Sequence, residues 1–137
     1  MRFTEITCKL WKDGPLVADP VGDGFVSVTD FVAHQWRDLP RIYLAAMLLR
    51  RGWPAMEGAV GLWVWTKPLQ KRQGSVSVWR SEADLQAFVE TPLHVRIMNA
   101  NRNRGQLTSH SLAGSDLSRR GVWRRASSVL LSTQAPT

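Results

Sequence analysis

The sequence has little of what marks a secreted or membrane protein. Its 137 residues include a single cysteine, Cys8, so no intramolecular disulfide can form, as is usual in a reducing compartment. The longest uninterrupted apolar run, from Ile42 to Leu49, is far too short to cross a bilayer. The amino-terminal segment has no apolar signal-peptide core. These absences predict a cytoplasmic protein without a membrane span.

Several motifs that carry chemistry are also missing. The chain has no glycine-rich phosphate loop, no paired catalytic carboxylates, no Ser-His-Asp order and no dinucleotide fingerprint. Its three histidines, His34, His94 and His110, show no local metal-ligand spacing. We therefore predict no metal site and no bound cofactor. We expect a reaction in which the substrate itself supplies much of the reactivity.

What the chain does contain is tryptophan and positive charge. Seven tryptophans are expected to line a core, a pocket or a subunit interface, because an indole ring is costly to leave in water. The net charge of +7 is compatible with nucleic acid, an anionic membrane surface or an acidic substrate. Aromatic and basic residues do not alternate as on an RNA-binding sheet, so nucleic acid is not a predicted partner.

Hydrophobic periodicity predicts a single domain over residues 1–114 with β-α-β-β-α-β order, which is ferredoxin-like with an antiparallel sheet. Residues 1–24 form a strand or loop lead-in, and the part from 11 to 24, rich in Gly, Pro and Asp, is predicted to be loop. The basic tail, 115–137, is predicted to contain a helix from about Asp116 to Leu131. The four predicted strands are Phe25–Val32, Ala59–Lys67, Ser75–Arg80 and Gln106–Gly114.

Capping signals predict where the helices begin and end. Asp38 is the expected N-cap of the first helix, which ends before Gly52. Ser81 is the expected N-cap of the second helix. The pair Thr91–Pro92 predicts that the second helix breaks there and restarts, running to about Arg104. The arginines of the restarted helix are interpreted as a solvated face.

Apolar side chains on both faces of the second strand indicate that the sheet is covered on both sides. Trp63 and Trp65 share one face of this strand, and Leu62 and Val64 share the other. Two helices on one side of the sheet would leave the opposite face bare. A second copy of the chain, packed sheet on sheet with two-fold symmetry, is the simplest cover, so we predict a homodimer.

The segment that links the third strand to the second helix resembles the corresponding segment of the dimeric α/β-barrel superfamily, in particular antibiotic-biosynthesis-monooxygenase-like domains. Members commonly have a strand that ends in Trp and a charged residue. Ser and Glu then begin a helix, in which Leu and Phe follow at helical spacing. A small residue, Pro and His come after them. In many members His directly follows Pro, whereas here Leu93 intervenes. The matching positions are Trp79, Arg80, Ser81, Glu82, Leu85, Phe88, Thr91, Pro92 and His94.

The resemblance implies a small homodimeric enzyme of secondary metabolism that oxidises a hydrophobic, aromatic or polyene metabolite without a cofactor, in a cavity between sheet and helices. His94, Met98 and Asn101 share a helical face by their spacing. His94 is therefore the candidate base, and Asn101 is the candidate hydrogen-bond donor. The alternative is a structural role for these residues: His94 would pack against its neighbours without taking part in chemistry, and the tryptophans would belong to the core. The candidate pocket residues are Trp63, Trp65, Trp79, Met98, His34 and Trp36.

Other functions fit the same resemblance. The cavity could catalyse a cyclisation or isomerisation by proton transfer alone. Haem-degrading members carry an axial histidine at the position of Met98, so haem is the less favoured cofactor alternative, with His94 as ligand if the proline break shifts the register. The domain could instead bind a ligand or partner without catalysis, through the basic segment Arg119–Arg125.

Overall fold

The computed structural model describes residues 8–17, 23–114 and 118–132. Five strands form one antiparallel sheet in the order β1-β3-β4-β2-β5. Apart from β1, the element order is the ferredoxin-like one predicted from the sequence, which is confirmed. The elements are β1 Cys8–Asp13, β2 Gly24–Ala33, α1 Leu39–Arg51, β3 Ala59–Lys67, β4 Arg72–Trp79, α2 Glu82–Val89, α3 Pro92–Asn101, β5 Gly105–Gly114 and α4 Arg119–Ser132.

The first strand, β1, lies at the edge of the sheet, where a loop was predicted from residue 11 onward. It pairs with β3 in antiparallel register, and Trp11 lies opposite Trp63. The ring of Trp11 lies over Gly61, where a β-carbon would collide with it. The loop prediction is therefore wrong for residues 11–13, because the exposed edge of β3 supplies hydrogen-bonding partners that local composition does not reveal.

The hairpin between β3 and β4 is tighter than predicted. The segment 68–74 was interpreted as a turn, but only Pro68–Gln70 form a short 3-10 turn, and β4 begins at Arg72. Lys71 completes the turn with a left-handed backbone conformation, φ 56°. Arg72 then lies opposite Lys67, so the ladder extends to the last residue of β3.

The predicted helix boundaries are largely correct, although two of the predicted caps act differently. The Ser81 hydroxyl accepts a hydrogen bond from the Asp84 backbone N–H, as expected of an N-cap. Asp38 makes no capping bond, because its carboxylate accepts a hydrogen bond from Arg104. Thr91 precedes α3, but its hydroxyl donates to the Phe88 carbonyl oxygen. The restarted helix, α3, ends earlier than predicted.

The two faces of the sheet are covered by different helices of the same chain. On one face, α4 buries Val122, Ala126 and Leu130, which are spaced one helical turn apart. In this chain α4 covers the sheet face that a second copy was expected to cover, so the bare face from which a homodimer was predicted is absent, and the homodimer itself stays a prediction. The predicted start of the tail helix at Asp116 lies outside the described residues. The sheet residues under α4 are Val26, Val28, Val60, Trp63, Trp65, Val76 and Val78.

On the other face, an aromatic core fills the space between the sheet and helices α1 and α2. Trp53 is fully buried, with its ring centroid 4.9 Å from that of Trp79 and 5.6 Å from that of Phe88. Leu62 and Val64 of β3 complete this layer. In the part of the chain that the structure describes, no helix is both long enough and apolar enough to span a membrane.

Candidate functional site

The tryptophans predicted to wall one pocket lie on opposite faces of the sheet. Trp63 and Trp65 face α4, whereas Trp79 faces α1 and α2. The alternation along β3 and the register with β4 impose this separation, because neighbouring positions of a strand point to opposite faces. The structure therefore does not bring the three rings into one cavity, and the predicted cavity between sheet and helices is occupied by Trp53, Trp79 and Phe88.

His34 and Trp36 follow β2 and are exposed on the surface. The Nζ of Lys71 lies 5.8 Å from the centroid of the Trp36 ring. Neither residue contributes to the groove described below, although Arg37 and Asp38, the next residues along the chain, do. His110 lies on β5, and no group of three metal-binding side chains occurs among residues 8–17, 23–114 and 118–132.

His94 lies near the start of α3 and is half-buried against α2. Its ring centroid is 4.9 Å from that of Phe88, with the two rings edge to face. Burial lowers the pKa of His94 below its ordinary value, and the nearby carbonyl of Val89 opposes this only in part. The imidazole is therefore neutral near pH 7, which is the form that can accept a proton.

Asn101, two helical turns after His94, is the more deeply buried polar residue of α3, with 8% of its surface exposed. Its Nδ2 donates a 2.9 Å hydrogen bond to the Ile97 carbonyl oxygen. Its Oδ1 is buried without a partner among the described residues. The amide therefore presents an acceptor, rather than the donor expected from the sequence, and an unpaired buried oxygen of this kind calls for a hydrogen-bond donor.

Met98 shares the predicted helical face with His94 and Asn101, but it is 38% exposed. His94 packs on Phe88 instead of facing an open space. Neither side chain lines the groove between α1 and α3, so this groove does not offer them as ligands to a haem. We derive no step through haem.

A groove of about 740 Å³ runs between α1 and α3. Its floor is apolar: Leu44 and Leu48 of α1, one turn apart, are 65% and 50% exposed, and Leu93 of α3 faces them. Asn101 lies at the edge of this floor. Grooves of this size and composition are typical of sites for small hydrophobic ligands. The lining residues are Arg37, Asp38, Arg41, Leu44, Ala45, Leu48, Leu93, Arg96, Ile97, Ala100, Asn101 and Arg104.

The rim of the groove is positively charged. Arg104 donates a 3.0 Å hydrogen bond to Asp38, which ties the end of α3 to the start of α1 and neutralises the one carboxylate in the lining. Arg37, Arg41 and Arg96 form no ion pair with any residue in the described ranges. The groove thus combines an apolar floor with cations that are free to bind an anion.

This groove was not predicted from the sequence. The arginines of the second helix were interpreted as a solvated face, and no connection was made between that helix and the first. The spacing of Arg41, Leu44 and Leu48 along one side of α1, with Arg37 in the short 3-10 turn before it, was the available signal.

Comparison with known proteins identifies the fold. No protein-family model and no curated protein matches the sequence. A protein of Nitrosomonas europaea assigned to the antibiotic biosynthesis monooxygenases superimposes with a TM-score of 0.60 at 10% identity, over 72% of this chain and 94% of that one. SnoaB from Streptomyces nogalater, a cofactor-independent oxygenase, superimposes with a TM-score of 0.54 at 13% identity, over 71% and 98%.

A monooxygenase-like structure from Lactobacillus acidophilus NCFM gives a TM-score of 0.59 at 9% identity. The match covers 77% of this chain. It covers only 47% of the other protein, so this chain spans about half of its length. At such identities the likeness concerns the fold. The chain therefore has the fold of these monooxygenase-like structures, as the segment from Trp79 to His94 predicted.

Proposed function

We propose that the chain is a monooxygenase-like enzyme that oxidises a hydrophobic small molecule carrying an acidic group, bound in the groove between α1 and α3. One observation carries the proposal: an apolar floor and an arginine rim meet in one groove that Asn101, whose buried Oδ1 has no partner among the described residues, also lines. The likeness to SnoaB, a cofactor-independent oxygenase, supports this class of reaction. Fold alone would support many others.

The groove is suited to an amphiphilic aromatic or polyene substrate. Covering Leu44, Leu48 and Leu93 removes exposed apolar surface from water, which stabilises the complex by about 25 cal/mol for each Å² buried. Arg41 and Arg96 lie on opposite helices and can bind an anionic oxygen from both sides. A substrate hydroxyl that donates to Asn101 would satisfy the buried Oδ1. Every one of these groups comes from one chain, so the proposed site is complete without a second subunit.

The proposed reaction begins with loss of a proton from an activated methylene or phenol of the substrate. The resulting anion is electron-rich, and the arginine rim stabilises it. The anion then reduces O2: the methylene carbon forms a bond to one oxygen atom and becomes a carbonyl, while the other oxygen atom leaves as water. Overall, R2CH2 and O2 give R2C=O and H2O, with the substrate supplying all four electrons, so the balance needs no further reductant.

His94 is our candidate for the proton acceptor, with one structural condition. Its ring packs on Phe88 and does not line the groove, so the imidazole must turn from Phe88 toward the neighbouring Leu93 to reach a substrate there. Its imidazole is neutral near pH 7 because burial lowers its pKa. It precedes Asn101 by two turns of α3, a rise of about 10 Å, which is comparable to the length of a polycyclic substrate. A substrate hydroxyl at Asn101 would therefore leave an acidic C–H near the start of the helix. Proton transfer to His94 without oxygen would instead give a cyclisation or isomerisation, and the same pKa supports this second candidate.

Oxygen uptake with an anthrone-type polycyclic phenol as probe, in the presence of a metal chelator, tests the proposal. We expect one O2 consumed for each carbonyl product. The double variant Arg41→Gln/Arg96→Gln should raise KM at least tenfold, because each charge-assisted hydrogen bond stabilises by about 1.5–3 kcal/mol. Arg102→Gln is the control, since Arg102 directly follows α3 and lies outside the groove.

Three results would decide against the proposal or for its alternative. If no tested polycyclic phenol or polyene acid consumes oxygen, the oxygenase function fails. If product forms at the same rate without O2, the enzyme catalyses the proton-transfer reaction and not an oxygenation. If the double variant and Arg102→Gln have the same KM, the groove is not the site.

A further inference from the structure

A second pocket lies on the opposite side of the sheet from the groove, where β1 and β3 meet the first turns of α4. It has a volume of about 310 Å³. We call it the tryptophan–arginine pocket. It is lined by Lys9, Trp63, Arg119, Arg120, Trp123 and Arg124.

The wall of this pocket is aromatic. The Trp63 ring centroid lies 5.1 Å from that of Trp123 and 5.0 Å from that of Trp11, with both pairs steeply tilted. Trp63 is only 7% exposed, and its Nε1–H is buried without an acceptor among the described residues. Trp123 is half-buried, so part of its ring borders the pocket. The half-buried ring of Trp123 therefore gives the pocket an aromatic stacking surface.

The remaining lining side chains are cations. The Nζ of Lys9 lies 4.6 Å from the centroid of the Trp123 ring, and the guanidinium carbon of Arg119 lies 5.2 Å from that of Trp11. These cation–π contacts hold both side chains at the pocket. Arg120 and Arg124 are exposed and lie one helical turn apart on α4.

No acidic side chain compensates these four charges within the described residues. The ion pairs there are Arg72–Asp30, Arg80–Asp84 and Arg104–Asp38, all elsewhere. The carboxylate of Asp13, at the end of β1, accepts a hydrogen bond from the Trp11 indole instead. Four cations around low-polarity ring faces produce a local positive potential that favours an anion.

We propose that the tryptophan–arginine pocket binds a small molecule in which a planar aromatic ring is joined to a phosphate, such as a mononucleotide. The ring would stack on Trp123, and the phosphate would lie between Arg120 and Arg124, whose planar guanidinium groups match phosphate oxygens in pairs. The volume of the pocket is at the lower end of the range found for ligand pockets. It suits one ring with one phosphate better than a larger cofactor.

The proposal is tested by calorimetric titration of the full chain with adenosine 5′-monophosphate, together with quenching of tryptophan fluorescence. Adenosine and inorganic phosphate, titrated separately, probe the two halves of the ligand. We expect the mononucleotide to bind at least tenfold more tightly than either half. The double variant Arg120→Gln/Arg124→Gln should weaken it at least tenfold. Arg51→Gln/Arg102→Gln, two exposed arginines on the opposite side of the sheet, is the control with the same change in charge.

Three outcomes would overturn the proposal. The first is equal affinity of the two double variants for the mononucleotide. The second is equal affinity of the wild-type chain for inorganic phosphate and the mononucleotide, which would remove any role of the ring. The third is much tighter binding of a short single-stranded oligonucleotide, which would identify the pocket as part of a longer nucleic-acid track.

Discussion

The guanidinium of Arg72 and the carboxylate of Asp30 form an ion pair beneath α4, with side chains only 4% and 5% exposed. Nε of Arg72 lies 3.1 Å from Oδ2 of Asp30, and its Nη2 also donates to the Leu130 carbonyl oxygen at 3.0 Å. The pair joins neighbouring strands, β4 and β2, and reaches the last turns of α4. It therefore couples the sheet to the helix that covers it.

Replacing Asp30 by Asn should destabilise the fold strongly. The amide cannot balance the buried charge of Arg72, and a buried cation left without its partner costs about 3–5 kcal/mol. Urea denaturation followed by tryptophan fluorescence measures the change. Asp23→Asn, at an exposed position, is the control and should change the free energy of unfolding by less than about 0.5 kcal/mol. Equal unfolding midpoints for the two variants would contradict the structural role of the pair.

Removing α4 should convert the chain from a monomer into a self-associating species. A chain ending at residue 117 exposes the apolar face formed by β2, β3 and β4, with Val28, Trp65 and Val76 at its centre. Sedimentation velocity should show a single monomeric species for the full chain and larger species for the truncated one. Leu130→Ala is the milder control: it should cost about 2–5 kcal/mol and leave the chain monomeric. A full chain that sediments as a dimer would show that α4 does not prevent association.

The sequence predicted the central elements well and the sheet edge poorly. The bounds of β3 agree residue for residue, because a run apolar on both faces and bounded by turn residues is a strong local signal. Strand β1 was predicted only as part of a strand or loop lead-in, with loop from residue 11, since its partner is the edge of β3, distant along the chain. That α4 covers the sheet could not be predicted either, because a helical pattern shows which side is apolar but not the surface it packs on.

The candidate site was harder to predict than the fold. Helical spacing predicted that His94 and Asn101 share one side of α3, whereas in the structure Asn101 lines the groove and His94 packs on Phe88. The rotation of α3 about its axis, which exposes Met98 and buries Asn101, depends on packing against α1 and α2. The groove forms because two helices distant in sequence lie side by side, so the spacing along α1 could indicate one wall but not the groove.

Gly61 is expected to tolerate no side chain. A β-carbon there would overlap the Trp11 ring, so Gly61→Ala should displace Trp11 from Trp63. We expect an altered near-ultraviolet circular dichroism spectrum and a destabilisation of about 1–3 kcal/mol from overpacking. Gly52→Ala is the matched control, because a β-carbon at Gly52 would meet no atom closer than the Leu49 carbonyl oxygen, at 4.0 Å. An unchanged spectrum for Gly61→Ala would show that Trp11 does not pack as described.

His94 should make the stability of the protein depend on pH. Burial holds its folded-state pKa below the ordinary value of 6.5, so between these two values the unfolded chain binds more protons than the folded one. The free energy of unfolding should consequently be highest above pH 6.5, fall as the pH decreases through that value, and level off below the folded-state pKa.

His94→Gln should remove this pH dependence, while His34→Gln, at an exposed position, should retain it. Urea midpoints of the three proteins, measured by tryptophan fluorescence from about pH 5 to about pH 8, give the comparison directly. Parallel profiles for the wild type and His94→Gln would show that His94 titrates alike in both states. That result would also remove the physical basis for its role as a neutral base, because an imidazole with an ordinary pKa would carry charge over part of the working range.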